Sequence, residues 1–315
     1  MYDTIIIGAG PAGVSAAIYA VRREMKTLLI SKDIGGQVGW AGEIENYPGF
    51  PSIKNYELVG LFEKHLKSAG VEHLLSEVKA IVKNQDDVFE VVTSKDKYLA
   101  KTVIVTMGLV PRRLAISGEE QFNGKGVSYC ANCDGPLFRH KTVAVVGGGN
   151  AALDAAEVLS KIASKVYLIH RSDKFRAFDM LVDEVKARPN IEIVDHAVVK
   201  EIVGNEKVSG IKIDRADGKT SDIEVDGVFI EIGRIAHTDV LKELVRMDEK
   251  NQIIIDEKCN TSLSGMFAAG DVTNGEFKQI SIASGQGTIA ALAAYQYLQL
   301  KLGKPQVVVR DLSKK

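Results

Sequence analysis

The stretch Thr4-Ile5-Ile6-Ile7-Gly8-Ala9-Gly10-Pro11-Ala12-Gly13 decides the fold. A β-branched run ends in Gly-x-Gly-x-x-Gly. A helical pattern through Val14, Ala17, Ile18 and Val21 follows, and then a second apolar run at 27–30. Strand, glycine-rich turn, helix and strand in this order form a βαβ unit that carries the dinucleotide fingerprint in its required context. Gly8, Gly10 and Gly13 let the backbone approach a pyrophosphate, and the free N–H groups at the helix start attract its charge. The plainer reading is an ordinary turn of an α/β domain, and the two flanking strands argue against it. The usual ribose-binding acid after the second strand is missing. Ser31-Lys32 stands there, so hydroxyl or backbone groups must hold the ribose.

The unit recurs further along. A strand at 141–146 leads into Gly147-Gly148-Gly149-Asn150-Ala151-Ala152. A helix through Leu153, Ala156 and Leu159 follows, and then a strand at 166–169. Ala152 replaces the third glycine, a variant the fingerprint allows. Two such units in one chain imply an α/β protein with two nucleotide-binding lobes and two bound dinucleotides. After the second unit come His170-Arg171 and then Arg176, with no acid at the strand end. Guanidinium forks match a 2′-phosphate, whereas a carboxylate would read a 2′-hydroxyl, so this lobe favours NADPH over NADH. A solvated basic turn is the alternative, and Asp173 inside the cluster weakens the phosphate reading.

The rest of the chain follows the same plan twice. Gly35-Gly36-Gln37 and Glu45-Asn46-Tyr47-Pro48-Gly49 form a long polar loop before a helix at about 54–69. Gln37 and Asn46 are neutral amides suited to a planar heterocycle, or equally to ordinary turn chemistry. Segments at 78–83, 88–93 and 98–105 predict a small antiparallel insertion that returns to a buried strand ending at Gly108. In the second lobe, segments at 191–195, 198–203 and 208–213, with a turn at Asp217-Gly218, predict another. That lobe closes on a strand ending at Gly233. A strand at 253–256 and an apolar strand ending in Gly270-Asp271 return to the first lobe. Asp271 is a candidate for the hydroxyls of a cofactor's sugar-alcohol chain or for a helix cap. An Ala/Leu-rich helix runs to about 301, and the tail from Gly303 is expected to be loose.

Net charge is -1 and pI about 6.6, so no global field favours nucleic acid or an anionic membrane. The N-terminus has no basic leader and the chain has no long apolar run, which argues against a signal peptide or a membrane span. Three cysteines do not make a secreted framework, so a cytoplasmic, reducing compartment is expected.

There, the pair in Val127-Ser128-Tyr129-Cys130-Ala131-Asn132-Cys133-Asp134-Gly135 reads as a redox centre with an acid beside it. Half of a zinc site would need a second close Cys/His pair, and inert thiols are the remaining reading. No metal is expected. Cys259 stands alone and reads as a structural thiol.

Together these motifs resemble the low-molecular-weight thioredoxin reductases of bacteria and archaea, and as closely the flavoprotein part of alkyl hydroperoxide reductase. The resemblance covers almost the whole chain. It implies two Rossmann-like domains of the pyridine nucleotide-disulfide oxidoreductase type with three-stranded antiparallel insertions. It implies FAD on residues 1–113 and 239–315, NADPH on 114–238, and a homodimer. Gly8, Gly10, Gly13, Ser31, Gly36, Gln37, Asn46, Gly108, Gly270, Asp271, Lys278, Gln279 and Ile280 would hold FAD. Gly147, Gly149, Asn150, Ala151, His170, Arg171, Arg176 and Gly233 would hold NADPH. Cys130 and Cys133 would be the redox disulfide, and Asp134 the proton donor. Electrons would then run from nicotinamide to flavin to disulfide, and on to a thioredoxin- or glutaredoxin-like protein.

Two departures stand out. Ser172 replaces the last residue of the usual His-Arg-Arg, which leaves NADH possible. Residues 133–138 and 278–280 look more like the peroxide-reductase flavoprotein, whose extra thioredoxin-like region precedes the flavin domain. This sequence starts at its first strand, so a separate small redox protein is expected to accept the electrons. Since disulfide and nicotinamide site share a lobe, residues 114–238 are expected to rotate about pivots near Pro111–Gly118 and Gly233–Thr238. The competing readings are a reductase serving a peroxiredoxin system with NADH, a ferredoxin- or flavodoxin-NADP reductase-like flavoenzyme, and a flavin-bearing sensor.

Overall fold

The computed structural model describes residues 1–40, 43–216 and 218–304, with Trp40, Glu43 and Cys133 described through their backbone alone. Two compact units divide the chain. One contains Met1–Trp40, Ile44–Val110 and the chain from Ala236 onward; Pro111–Ile235 makes up the body of the other.

In the first unit the strands Glu72–Leu75, Thr27–Ile34, Tyr2–Ala9 and Lys97–Val105 lie side by side, and Met266–Ala268 pairs with Lys97–Val105. All these pairings are parallel, with Ile5 opposite both Leu28 and Val103 and Phe267 opposite Ile104. Ile5, Ile6, Leu29 and Ile104 are fully buried. A parallel sheet covered on both faces requires such continuous apolar strands. Lys97–Val105 has two roles. Its first half pairs antiparallel with Phe89–Thr93, which pairs in turn with Val78–Lys83.

One face of the sheet is covered by the helices Pro11–Arg22 and Ile280–Lys301. They meet through small side chains, Ala12, Ala16 and Ala20 against Ala283, Ala290 and Ala294. The other face is closed by Val78, Ile81, Phe89 and Val91 of the antiparallel insertion, together with Leu241 and Val245. The helix expected at 54–69 is Asn55–Ser68. The strand expected at 253–256 does not form. Ile253 alone makes bridges, to Met247 and Thr273, and the Asp256 carboxylate bends the chain by accepting the Lys258 and Asn260 N–H groups. A short β-branched run has the composition of a strand but here lacks a neighbour along its length.

In the second unit the parallel order is Val127–Ser128, Gly227–Ile230, Thr142–Val146, Lys165–Ile169, Ile191–Val194. Ile191–Val194 therefore belongs to the nucleotide sheet, with Ile193 opposite Leu168, and not to the antiparallel insertion. The helix Asp179–Ala187 before it provides the crossover that a parallel strand needs. The insertion is instead Ala197–Gly204, Val208–Arg215 and Thr220–Glu224. Of the turn expected at 217–218, Asp217 lies outside the described residues, as does the tail from 305. Gly218 has φ +80°, and its N–H donates to the Arg215 carbonyl at 3.0 Å.

Candidate active site

At the first glycine turn the three glycines have different physical reasons. A Cβ on Gly8 or Gly13 would collide with the protein itself, with the Thr106 carbonyl and the Gly8 carbonyl respectively. The Thr106 hydroxyl fastens this crossing by donating toward the Ile7 and Gly8 carbonyls at 2.9 and 2.8 Å. Gly10 is different. The nearest atom to a Cβ there is the Gly35 carbonyl oxygen at 3.9 Å, so the missing side chain leaves open surface. Gly10 is also the N-cap of Pro11–Arg22, and among the described residues no side chain caps that helix and no acid sits in its first turn. Open space over uncapped N–H groups fits a pyrophosphate.

The other residues expected at this site come together in pairs. The Gln37 amide donates to the Asp271 carboxylate at 3.0 Å, and Gly108 lies against the same amide. The Asn46 amide donates to the Gln279 side-chain oxygen at 3.3 Å. The Lys278 ammonium donates to the Asp271 and Thr273 carbonyls at 3.0 and 2.6 Å, and burial pulls its pKa down. Gly36, at φ +54°, sits against Gly10, and Gly270 lies over Ala12. Ile280 opens the last helix. The Ser31 hydroxyl is buried and turned inward, 2.6 Å from the Asp33 carbonyl and 2.8 Å from His73 Nε2.

The second turn has the same outline. Gly149 is the N-cap of Asn150–Ser160, again with no side-chain cap among the described residues and no acid in the first turn. The segment after the strand, 170–178, folds back over this turn. His170 tucks its ring where a Cβ on Gly148 would be, stacks on Phe175 at 5.0 Å, and bonds the Lys174 carbonyl at 2.9 Å. The Arg176 N–H donates to the Gly148 carbonyl at 2.7 Å, and the Phe178 N–H to Asn150 Oδ1 at 2.9 Å. His170 thus holds the loop, while Arg171 and Arg176 stay exposed near the turn, where a phosphate could reach them. The Ser172 hydroxyl is engaged with its own turn, accepting the Lys174 N–H at 3.2 Å. Ala151 is exposed at the helix start, and the Gly233 carbonyl accepts the Arg112 N–H at 2.9 Å.

Cys130 is disulfide-bonded. The side chain of Cys133 lies outside what the structure describes, so its pairing with Cys130 remains an expectation. Cys130 is the N-cap of the single-turn helix Ala131–Asp134. Its N–H donates to the Ser128 hydroxyl oxygen at 3.1 Å, and that hydroxyl donates to Asp134 Oδ2 at 2.6 Å. Ser128 is buried and connects the first cysteine to the acid. The motif assigns it no role, because a serine two residues before a cysteine has no signature of its own.

Glu119 escapes sequence reasoning for the same reason. It is buried and accepts the Leu114 and Ala115 N–H groups at 3.1 and 2.7 Å and the Tyr129 hydroxyl at 2.8 Å. Burial, reinforced by that carboxylate, pushes the Tyr129 phenol up. Glu119 thereby ties the start of this unit to the residue beside Cys130.

Cys259 belongs to the first unit. It is buried, its thiol lies 3.5 Å from the Gln286 carbonyl, and burial pushes its pKa up to about 12. Such a thiol stays protonated and inert. Among the described residues no group of three or more His, Cys, Asp or Glu side chains is placed to hold a metal ion. No helix among them is long and apolar enough to cross a membrane.

Known proteins resemble this chain along nearly its whole length. The family model described as pyridine nucleotide-disulphide oxidoreductase matches residues 2–287. A thioredoxin reductase of Listeria monocytogenes is 40% identical over 303 residues, covering 95% of this chain and 94% of its own. The F component of Escherichia coli alkyl hydroperoxide reductase is 37% identical over 305 residues, 94% of this chain but only 58% of the longer relative. The crystal structure of thioredoxin reductase from Streptococcus pyogenes superposes with a TM-score of 0.84 at 40% identity, over 95% of this chain and 99% of that one. The chain therefore belongs to the pyridine nucleotide-disulphide oxidoreductase family.

Proposed function

We propose that this enzyme is an FAD-dependent thioredoxin-disulfide reductase, taking electrons from NADPH and delivering them through a Cys130–Cys133 disulfide to a thioredoxin- or glutaredoxin-like protein. The observation that carries this reading is the disulfide of Cys130, wired through Ser128 to Asp134 on the unit that also bears the second nucleotide turn. The likeness to thioredoxin reductases over nearly full length supports the choice of acceptor.

The residues fit the two cofactors. The Gly8–Gly13 turn and the uncapped helix start suit the FAD pyrophosphate. Gln37, Asn46, Asp271 and Gln279 offer amide and carboxylate groups to the flavin and its sugar-alcohol chain. The Gly147–Ala152 turn, with Arg171 and Arg176 beside it, suits NADPH. Bound there, the flavin supplies the two-electron chemistry that links nicotinamide to disulfide. The protein's own part is positional. Ser128 fixes Asp134 by donating to its Oδ2 at 2.6 Å, so that the Asp134 carboxyl is placed to pass on the proton required when Cys133 leaves as a thiol. Cys130 then forms a mixed disulfide with the partner, and Cys133 resolves it. Residues 114–238 act as a moving body with pivots near Pro111–Gly118 and Gly233–Thr238, so nicotinamide turn and disulfide serve alternately. A homodimer in the cytoplasm completes the reading.

Replacing Cys130 or Cys133 by Ser tests it. Either change should abolish reduction of a thioredoxin disulfide while NADPH still bleaches the flavin in an anaerobic cell. Surviving turnover would overturn the disulfide step. A second reading, a reductase feeding a peroxiredoxin system from NADH, is favoured by the engaged Ser172 hydroxyl and by the alkyl hydroperoxide reductase relatives. Initial rates with NADPH and NADH against a panel of small disulfide proteins separate the two.

A further inference from the structure

After the strand Met266–Ala268 the chain turns through Ala269, Gly270 and Asp271. The Ala269 N–H donates to the Val105 carbonyl at 2.9 Å, and the Gly270 carbonyl accepts the Thr273 N–H at 3.0 Å and the Thr273 hydroxyl at 2.8 Å. The Gly270 N–H goes elsewhere. It donates to the side-chain oxygen of Gln286, on the last helix, at 2.8 Å. Gly270 is buried at φ +78°, where a Cβ would crowd Ala12, and a buried N–H needs a protein acceptor. Gln286 is itself fixed at its backbone. Its carbonyl takes the Cys259 thiol at 3.5 Å, and a Cβ on the next residue, Gly287, would run into the Ala12 carbonyl. The helix therefore lies tight against the first glycine turn, and the Gln286 side chain starts from a set point. One residue beyond Gly270, the Asp271 carboxylate accepts the Gln37 amide at 3.0 Å. Neither the glycine fingerprint nor the Gly270-Asp271 pair includes Gln286.

We propose that Gln286 is a positioning residue for the flavin half of FAD: by accepting the Gly270 N–H it holds the turn that presents the Asp271 carboxylate to the sugar-alcohol chain. This inference rests on the FAD reading above. A glycine at positive φ has wide backbone freedom, so a turn built on one stays loose unless its polar groups are held. The carbonyl of Gly270 is held by Thr273, within the turn itself. Its N–H is held only from the helix, and rotation of that peptide would swing the Asp271 side chain off its line to Gln37. The bond requires an acceptor oxygen, which an amide or a carboxylate supplies and a hydrocarbon does not. The pyrophosphate end of the cofactor is served by the Gly8–Gly13 turn instead, so the effect of Gln286 falls on the flavin end.

The test is an equilibrium, not a turnover, and compares FAD with ADP, which shares only the adenosine and the pyrophosphate. The full-length chain, freed of flavin, is titrated with FAD by flavin fluorescence and with ADP by calorimetry. Gln286→Leu removes the acceptor at nearly constant size. It should raise the FAD Kd about tenfold, the effect of one buried N–H left unpaired, and leave the ADP Kd within about twofold. Gln286→Glu restores an acceptor oxygen and should bring the FAD Kd back to within about threefold of the unsubstituted protein. An unchanged FAD Kd in the Leu variant, an equal loss for ADP, or a Glu variant as weak as Leu would overturn the proposal. Should the Leu variant not fold, Gln286→Asn, one methylene shorter and still polar, is read by the same titrations against the same criteria. If the unsubstituted chain binds no FAD, the flavoprotein reading itself fails, a result distinct from all of these.

Discussion

The two glycine turns share a motif and differ in what surrounds it. At the first, a Cβ at the third position would strike the Gly8 carbonyl, so only glycine fits; at the second, Ala152 carries its methyl in the corresponding place, fully buried. Gly8 has φ +105° and Gly147 +153°, so the two turns leave their strands at different angles, and the second has room for that methyl. The larger difference lies past the second strand. Thr27–Ile34 is long and delivers the neutral Gly35-Gly36 to Gly10. Lys165–Ile169 is short, and the loop beyond it brings Arg176 alongside Gly149, with His170 wedged at Gly148. The fingerprint provides a place for a pyrophosphate in both; the segment after the second strand decides which charge surrounds it. That difference is the physical basis for proposing FAD at the first turn and NADPH at the cationic second one.

The contrast can be broken at its strongest point with Gly13→Ala. The added methyl meets backbone and cannot be relieved by a rotamer. It should cost ~3 kcal/mol of stability in that unit and strip the flavin from the purified protein. Flavin absorbance per chain and a thermal melt check this, and a variant that keeps both would refute the account of the first turn. Next in size is charge. Arg171→Ala should raise the NADPH KM about tenfold, the loss of one hydrogen-bonded charge contact, and leave the NADH KM within about twofold. Equal effects on the two coenzymes would remove the 2′-phosphate from the assignment. Smallest is Ala152→Gly. It should cost only about 1 kcal/mol, the ordinary penalty of glycine within a helix, and leave coenzyme binding unchanged. A loss as large as that of Gly13→Ala would mean that the two third positions are equally tight.

Much of this is legible in the residues, and the exceptions share a cause. Alternation in 78–105 predicts the first antiparallel insertion, whose strands are Val78–Lys83, Phe89–Thr93 and Lys97–Val105. The same signal misplaces Ile191–Val194, because alternation describes a half-exposed strand and not the sheet that it joins. At 253–256 the β-branched run has the look of a strand, although pairing depends on a neighbour that local sequence does not name. His170 groups by position with the nucleotide-binding residues, yet its ring is committed to Gly148, Phe175 and Lys174. Ser128 and Glu119 carry no motif at all.

The sequence by itself determined the two βαβ units, the Cys-x-x-Cys with its adjacent acid and the cationic segment after the second unit. These rest on local spacing: glycines where backbone must come close, period in the apolar residues, and like charges within one loop. Only the tertiary structure decided which hydroxyl holds Asp134, which ring closes the second turn and which carboxyl ties down Tyr129 beside Cys130. Those depend on burial and on contacts between residues far apart in the chain. Gln37 and Asp271 meet although 234 residues separate them, and the Tyr129 phenol's proton affinity follows from the water that the fold has removed around it.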